Sequence, residues 1–198
     1  MKLNWAERWA VNNPIRILEQ RVEVGWVKPR VDLAPGFVGL EMGCGRGAGA
    51  AVLLDELDPG RLYAFDLDPE MIRKAERFLS PPHRARVELF VGDSERLPLR
   101  DASVDAVFGF GVLHHLPDWR RALDEIRRVL RTGGTYVLEE LYPTLYQNFV
   151  TRHLLLHPTE NRFRREELRA ALDEAGLPVA DSREIPGIGI LAVCTRRG

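Results

Sequence analysis

Three acidic residues and a glycine run stand where a nucleotide-like ligand could be held. Glu41-Met42-Gly43-Cys44-Gly45-Arg46-Gly47 has the form acid–x–Gly–x–Gly–x–Gly. Glycines at this spacing let the backbone turn sharply and come close to a small molecule. A helix after them points its free N–H groups at the same place. Asp66 closes the next apolar run, in Ala64-Phe65-Asp66-Leu67-Asp68-Pro69. A carboxylate there can accept two hydrogen bonds from a ribose diol. Asp68, directly before Pro69, suits a helix cap better. Asp93 follows a third run, in Val91-Gly92-Asp93-Ser94. It could accept from an adenine amino group, and Gly-Asp-Ser is equally good turn chemistry. A fourth run ends in Phe110-Gly111-Val112-Leu113-His114-His115. Adjacent histidines face different directions and do not make a two-histidine metal site. His153 and His157 have the spacing of a helical zinc pair, but Pro158 ends that run and no third ligand is evident. No metal is expected.

These residues need elements to position them, and the chain supplies a regular alternation. Helix is expected from Pro14 to about Lys28, then a breaker-rich connector to Gly36. Strands are expected at 37–42, 61–65, 86–91, 104–110 and 135–140. Helices are expected between them at 48–57, 69–79 and 119–130, with Ser80-Pro81-Pro82 as a break and Gly133-Gly134 as a stop. A last helix, 163–175, ends before Gly176. Two strands, 179–185 and 188–195, then meet at Pro186-Gly187 as a hairpin. Such alternation predicts an α/β fold: a doubly wound, mainly parallel seven-stranded sheet with a C-terminal antiparallel hairpin. Ligands bind such sheets at the carboxyl ends of the strands. The acids, the glycines, the His-His pair and Glu139-Glu140 all fall there.

Composition narrows the rest. The chain has 198 residues, 45% hydrophobic and 29% charged, which fits one domain with a sizeable core. Net charge is −1, so no broad basic field is available for a long nucleic acid. Cys44 and Cys194 are too few for a disulfide framework or a cysteine-rich zinc site, and a reducing cytoplasm is the natural compartment. No apolar run reaches membrane-spanning length. The oligomeric state is not legible.

With these motifs in order, the chain resembles the class I S-adenosylmethionine-dependent methyltransferases of the small UbiE-like, Methyltransf_11 kind, whose fold is Rossmann-like. The glycine run is similar to their first motif. Asp66 and Asp93 match their ribose-side and adenine-side acids. Leu113-His114-His115-Leu116 matches their loop after the fourth strand. Leu130-Arg131-Thr132-Gly133-Gly134 matches their Leu-Arg-Pro-Gly-Gly turn, with Thr132 replacing proline. The likeness covers roughly Phe37 to Glu140. A nicotinamide-dependent oxidoreductase shares the glycine loop and the second-strand acid. Glu41, Asp93 and the Leu-His-His loop argue against it, as does the lack of a Tyr-x-x-x-Lys pair. A third reading is a binding protein without catalysis.

The resemblance implies S-adenosylmethionine as cofactor. Glu41, Gly43, Gly45 and Gly47 would receive its methionine part, and Asp66 its ribose. Leu67 and Met71 would pack on the adenine, and Asp93 with Ser94 would read its edge. Phe110 to Val112 would pass the sulfonium. His114 is the candidate base, since its type titrates near neutral pH, and a buried support for the loop is its other reading. His115 is expected as a cofactor-side or structural contact. Glu140 could meet a cationic acceptor, or could be a solvated strand end. One domain is expected, with residues 1–36 as a helical cap, 37–140 as the cofactor core, 141–162 as an acceptor-side insertion and 163–198 as helix and hairpin. The acceptor, a small molecule such as a metabolite, quinone precursor or lipid, would be recognised by Trp5 and Trp9 and by Tyr142, Tyr146, Phe149, His153 and His157 of the insertion.

Overall fold

The computed structural model describes residues 14–143 and 162–198. Trp5, Trp9, Tyr146, Phe149, His153 and His157 lie outside the described residues. Helix α1 spans Pro14–Val27 and runs into a 3-10 turn, Lys28–Arg30. Then come β1 (Val38–Met42), α2 (Ala48–Glu56), β2 (Arg61–Asp66), α3 (Pro69–Phe78), the short α4 (Pro81–Arg84) and β3 (Val87–Val91). After these follow β4 (Val104–Phe110), α5 (Trp119–Val129), β5 (Leu130–Leu141), α6 (Arg165–Glu174), β6 (Val179–Ile185) and β7 (Gly189–Thr195).

The strands form one sheet in the order β3-β2-β1-β4-β5-β7-β6. Neighbours from β3 to β5 pair parallel, and β7 runs antiparallel to both β5 and β6. The order reverses between β1 and β4, which places the ligand crevice of a doubly wound sheet beside the glycine loop.

Alternation along the strands divides the core in two. Ala106, Phe108 and Val137 join Val24, Val27, Leu53 and Ile72, so α1, α2 and α3 cover one face. Val107, Leu138 and Leu40 join Trp119, Ile126, Leu168 and Leu172, so α5 and α6 cover the other. Helix α5 buries Trp119, Ala122, Leu123, Ile126 and Val129, one stripe at helical spacing. Asp68 caps α3 by accepting the Glu70 amide at 2.9 Å, with Pro69 in the first turn.

Beyond shifts of one residue, three places differ from the sequence expectation. Strand β5 begins at Leu130, because Leu130 already pairs with Val104 before the register shifts ahead of Ala106. The expected break at Ser80 forms one helical turn instead, with Ser80 accepting the His83 amide. Helix α6 begins at Arg165 rather than 163, where the Arg164 amide donates to Glu167 at 2.8 Å.

Candidate active site

A cavity of about 1220 Å³, counting its open mouth, lies at the carboxyl ends of β1, β2 and β4. That is ample for a nucleoside-sized ligand. Of the residues singled out from sequence, Glu41, Gly43, Gly45, Asp66, Leu67, Met71, Asp93, Ser94, Phe110 and His115 line it. Gly47 and His114 do not.

The glycine loop is held against β2. The Cys44 amide donates to the Phe65 carbonyl at 2.8 Å. The Gly45 amide donates to Asp66 Oδ2 at 3.0 Å, and the Asp68 amide to Oδ1 at 2.8 Å. Each Asp66 oxygen retains acceptor capacity for a further donor. Burial is the main cause that raises the Asp66 pKa, against these two amides. Gly43 and Gly45 have φ of +64° and +53°, where a side chain would be strained. Gly47, at φ +87°, shares that conformation and serves packing as well. A Cβ on it would lie 3.1 Å from the Ala75 Cβ, so its bareness lets α2 approach α3.

Glu41, the penultimate residue of β1, has 2% of its surface exposed. Burial, then the Asp66 charge, pushes it up to about 8. A Cβ on Gly49 would fall 2.0 Å from Glu41 Oε1. The first turn of α2 is therefore shaped around this carboxyl group. Glu41 Oε2 has no hydrogen-bond partner among the described residues. A buried acceptor without a donor is rare and costly. It marks a place for a donor that the described residues do not supply.

At the far side, Leu67 is half exposed and Met71 is buried, an apolar strip facing the cavity. Asp93 does form the expected turn, since its Oδ1 accepts the Glu95 amide at 2.9 Å and its carbonyl the Arg96 amide at 3.1 Å. It lines the cavity as well, so the two readings of Asp93 are compatible.

The loop after β4 is organised by Glu140, which is fully buried. Glu140 Oε1 accepts the amides of Val112 at 2.9 Å and Leu113 at 2.7 Å. Its Oε2 accepts the His114 amide at 3.3 Å and lies 2.7 Å from His114 Nδ1. Four donors thus converge on one carboxylate, the condition for keeping such a group out of water. Glu140 is neither a rim contact nor a solvated strand end. His114 is 4% exposed and turned into this network, while His115 faces the cavity. Tyr142, expected among the acceptor-side aromatics, is buried with its hydroxyl donating to Glu184.

Sequence reasoning missed the inner face of α1. Arg16 and Gln20 line the cavity. Arg16 Nη2 lies 2.8 Å from Glu139 Oε2, and its Nη1 lies 3.0 Å from Glu23 Oε1. Burial raises both carboxyl groups, Glu23 to about 7. Glu139 and Glu23 also border a second recess of about 620 Å³, whose walls include Val22, Trp26, Leu141, Ile185 and Ile188. The signal was present at residues 16, 20 and 23, polar side chains at helical spacing, but their partners are remote in sequence.

No group of three metal-binding side chains occurs among the described residues, and no described helix is long and apolar enough to cross a membrane. Residues 40–138, half of the chain, match the family described as a methyltransferase domain. The chain belongs to this family, and with it to the class I S-adenosylmethionine-dependent methyltransferases, which have the Rossmann-like sheet seen here. It is 38% identical over 115 residues to the phthiotriol/phenolphthiotriol dimycocerosates methyltransferase of Mycobacterium tuberculosis, covering 58% of this chain and 41% of that one. It is 33% identical over 113 residues to the arsenite methyltransferase of Halobacterium salinarum, covering 57% and 29%. The chain spans less than half the length of the first curated relatives it matches. The fold is shared with the chain solved in complex with the Haloferax volcanii Trm112 methyltransferase activator, at 22% identity and a TM-score of 0.79 over 97% of this chain and 96% of that one.

Proposed function

We propose that this chain transfers a methyl group from S-adenosylmethionine to a small molecule with an apolar body. One observation carries the proposal: Arg16 borders the larger recess, and Glu139, its ion-pair partner, borders the smaller. The larger has the acids and bare backbone that suit the cofactor. The smaller has mainly apolar walls that suit an acceptor.

The residues present fit the cofactor. Glu41, with its unpartnered buried oxygen, suits an ammonium group. Gly43 and Gly45 leave room for the amino-acid part, and Asp66 has acceptor capacity for ribose hydroxyls. Leu67 and Met71 offer apolar surface to the adenine, and Asp93 with Ser94 its polar edge. The cofactor supplies a methyl group on a sulfonium, already a strong electrophile. The protein's contribution is then chiefly positioning. Glu140 holds the backbone of Val112 to His114 in place, and His114 acts through that loop. His115, facing the cavity, is the group placed to take a proton from a hydroxyl acceptor.

The relatives act, by their names, on arsenite and on phthiotriol/phenolphthiotriol dimycocerosates. The apolar walls favour the lipid-like end of that range. A net charge of −1 speaks against nucleic acid.

The test is release of S-adenosylhomocysteine by the purified chain with a panel of long-chain alcohols, phenols, amines and arsenite. Turnover of the apolar members is expected. Ile188→Glu should lower kcat/KM for them without changing S-adenosylhomocysteine affinity. Turnover of arsenite alone would refute the acceptor class, and binding without any turnover would favour a non-catalytic role. Tighter binding of a nicotinamide dinucleotide would refute the cofactor.

A further inference from the structure

Helix α1 lies outside the segment that matches the family, yet its inner face reaches the cavity. Gln20 projects from it with only 8% of its surface exposed. Among the described residues its Oε1 has no hydrogen-bond partner, and neither has Glu41 Oε2. Both side chains line the cavity, and both crowd one point. A Cβ on Gly49 would lie 2.0 Å from Glu41 Oε1 and 3.1 Å from Gln20 Nε2. Two side chains from different elements, each carrying one orphaned acceptor, thus meet beside the bare first turn of α2. Two buried acceptors need a group with several N–H donors, and a carboxyl beside them favours a cation. Arg16, one turn earlier on α1, does not meet that need, because Glu139 and Glu23 engage it.

We propose that Gln20 and Glu41 together form a subsite for a protonated primary amine, so that α1 reads the amino-acid end of the bound cofactor. This rests on the cofactor reading above. In this assignment Gln20 Oε1 accepts one N–H of the ammonium and Glu41 takes another. Gly49 remains bare so that both can approach. The inner face of α1 is then a cofactor contact, whereas the sequence placed the N-terminal helix with the acceptor.

The experiment measures dissociation constants of the full chain for three probes: S-adenosylhomocysteine, its deamino analogue and 5′-methylthioadenosine, which lacks the whole amino-acid part. Gln20→Leu should weaken S-adenosylhomocysteine about tenfold to a hundredfold, as for a lost hydrogen bond to a charged group. It should leave both amine-free probes within about twofold of the original chain. Retained binding of those probes also reports that the variant is folded. Equal weakening of all three would overturn the proposal, and so would unchanged S-adenosylhomocysteine affinity. In the original chain the deamino analogue should bind more weakly than S-adenosylhomocysteine, and equal affinity of the two would overturn it without any variant. Failure of the original chain to bind any of the three would strike the cofactor reading instead.

Discussion

Glu140 Oε2 lies 2.7 Å from Nδ1 of His114, with both side chains buried. The same carboxylate accepts the amides of Val112, Leu113 and His114. It is the anchor of the loop that forms one wall of the cavity. Glu140→Ala would strand four buried donors. We expect a loss of about 3–5 kcal/mol in unfolding free energy by denaturant titration, since each buried donor left unsatisfied costs about 1–3 kcal/mol. Glu140→Gln keeps acceptor capacity and should cost less. A surface-like effect below about 0.5 kcal/mol for Glu140→Ala would contradict the anchoring role.

Asp66 joins the glycine loop to the turn before α3 while retaining acceptor capacity toward the cavity. Asp66→Ala should weaken S-adenosylhomocysteine by about a hundredfold or more, since each hydrogen bond to a charged group is worth about 1.5–3 kcal/mol. Calorimetric titration measures it. An affinity within about threefold of the original chain would remove Asp66 from the site.

Two helical glycines should respond in opposite directions to alanine. Gly25 of α1 has nothing within 4 Å of its missing Cβ. Gly25→Ala should stabilise the chain by about 0.5–1 kcal/mol through helix propensity. At Gly49 the same change drives a methyl group into Glu41 and Gln20. Overpacking of that kind costs about 1–3 kcal/mol, and cofactor affinity should fall with it. Thermal unfolding of the two variants side by side makes the comparison, and stabilisation by Gly49→Ala would contradict the crowding at Glu41.

Protonation supplies a further check. Burial, then the Asp66 charge, pushes Glu41 up to about 8, and burial pushes Glu23 to about 7. Above the ordinary carboxyl value of 4.5, the folded chain keeps protons that the unfolded chain has released. Stability of the ligand-free chain therefore falls as pH rises from about 4.5 to about 8. A cation seated on Glu41 lowers its pKa again, so binding should expel a proton near pH 7. Calorimetry in buffers of different ionisation enthalpy should detect this release with S-adenosylhomocysteine and find less of it in Glu41→Gln. An equal release in that variant would place the proton elsewhere.

Much of the cavity lining was legible in the residues alone. Glu41, Gly43, Gly45, Asp66 and Asp93 sit at strand ends, and strand ends are announced by local signals: apolar runs, glycines and the proline at 69. Parallel pairing brings successive strand ends to one edge of the sheet, so order along the chain becomes adjacency in space. Asp68 as a cap and the terminal hairpin follow from equally local chemistry. Less was legible where a residue's role depends on a distant partner. Glu140 looks like a free strand-end acid until the loop residues 26 to 28 positions earlier are folded over it. Gly47 shares the positive φ of Gly43 and Gly45, yet only the approach of α3 gives its bareness a packing role as well.

The sequence by itself determined the alternation of elements, the strand ends that carry the acids and the family to which they belong. Only the tertiary structure decided which of two adjacent histidines faces the cavity, and that Gln20 and Arg16 of α1 reach it. The first set follows from backbone preferences within a few residues. The second depends on side chains distant in sequence, 26 positions apart for His114 and Glu140 and 123 for Arg16 and Glu139, which no local pattern pairs. Burial alone decided that they must satisfy one another.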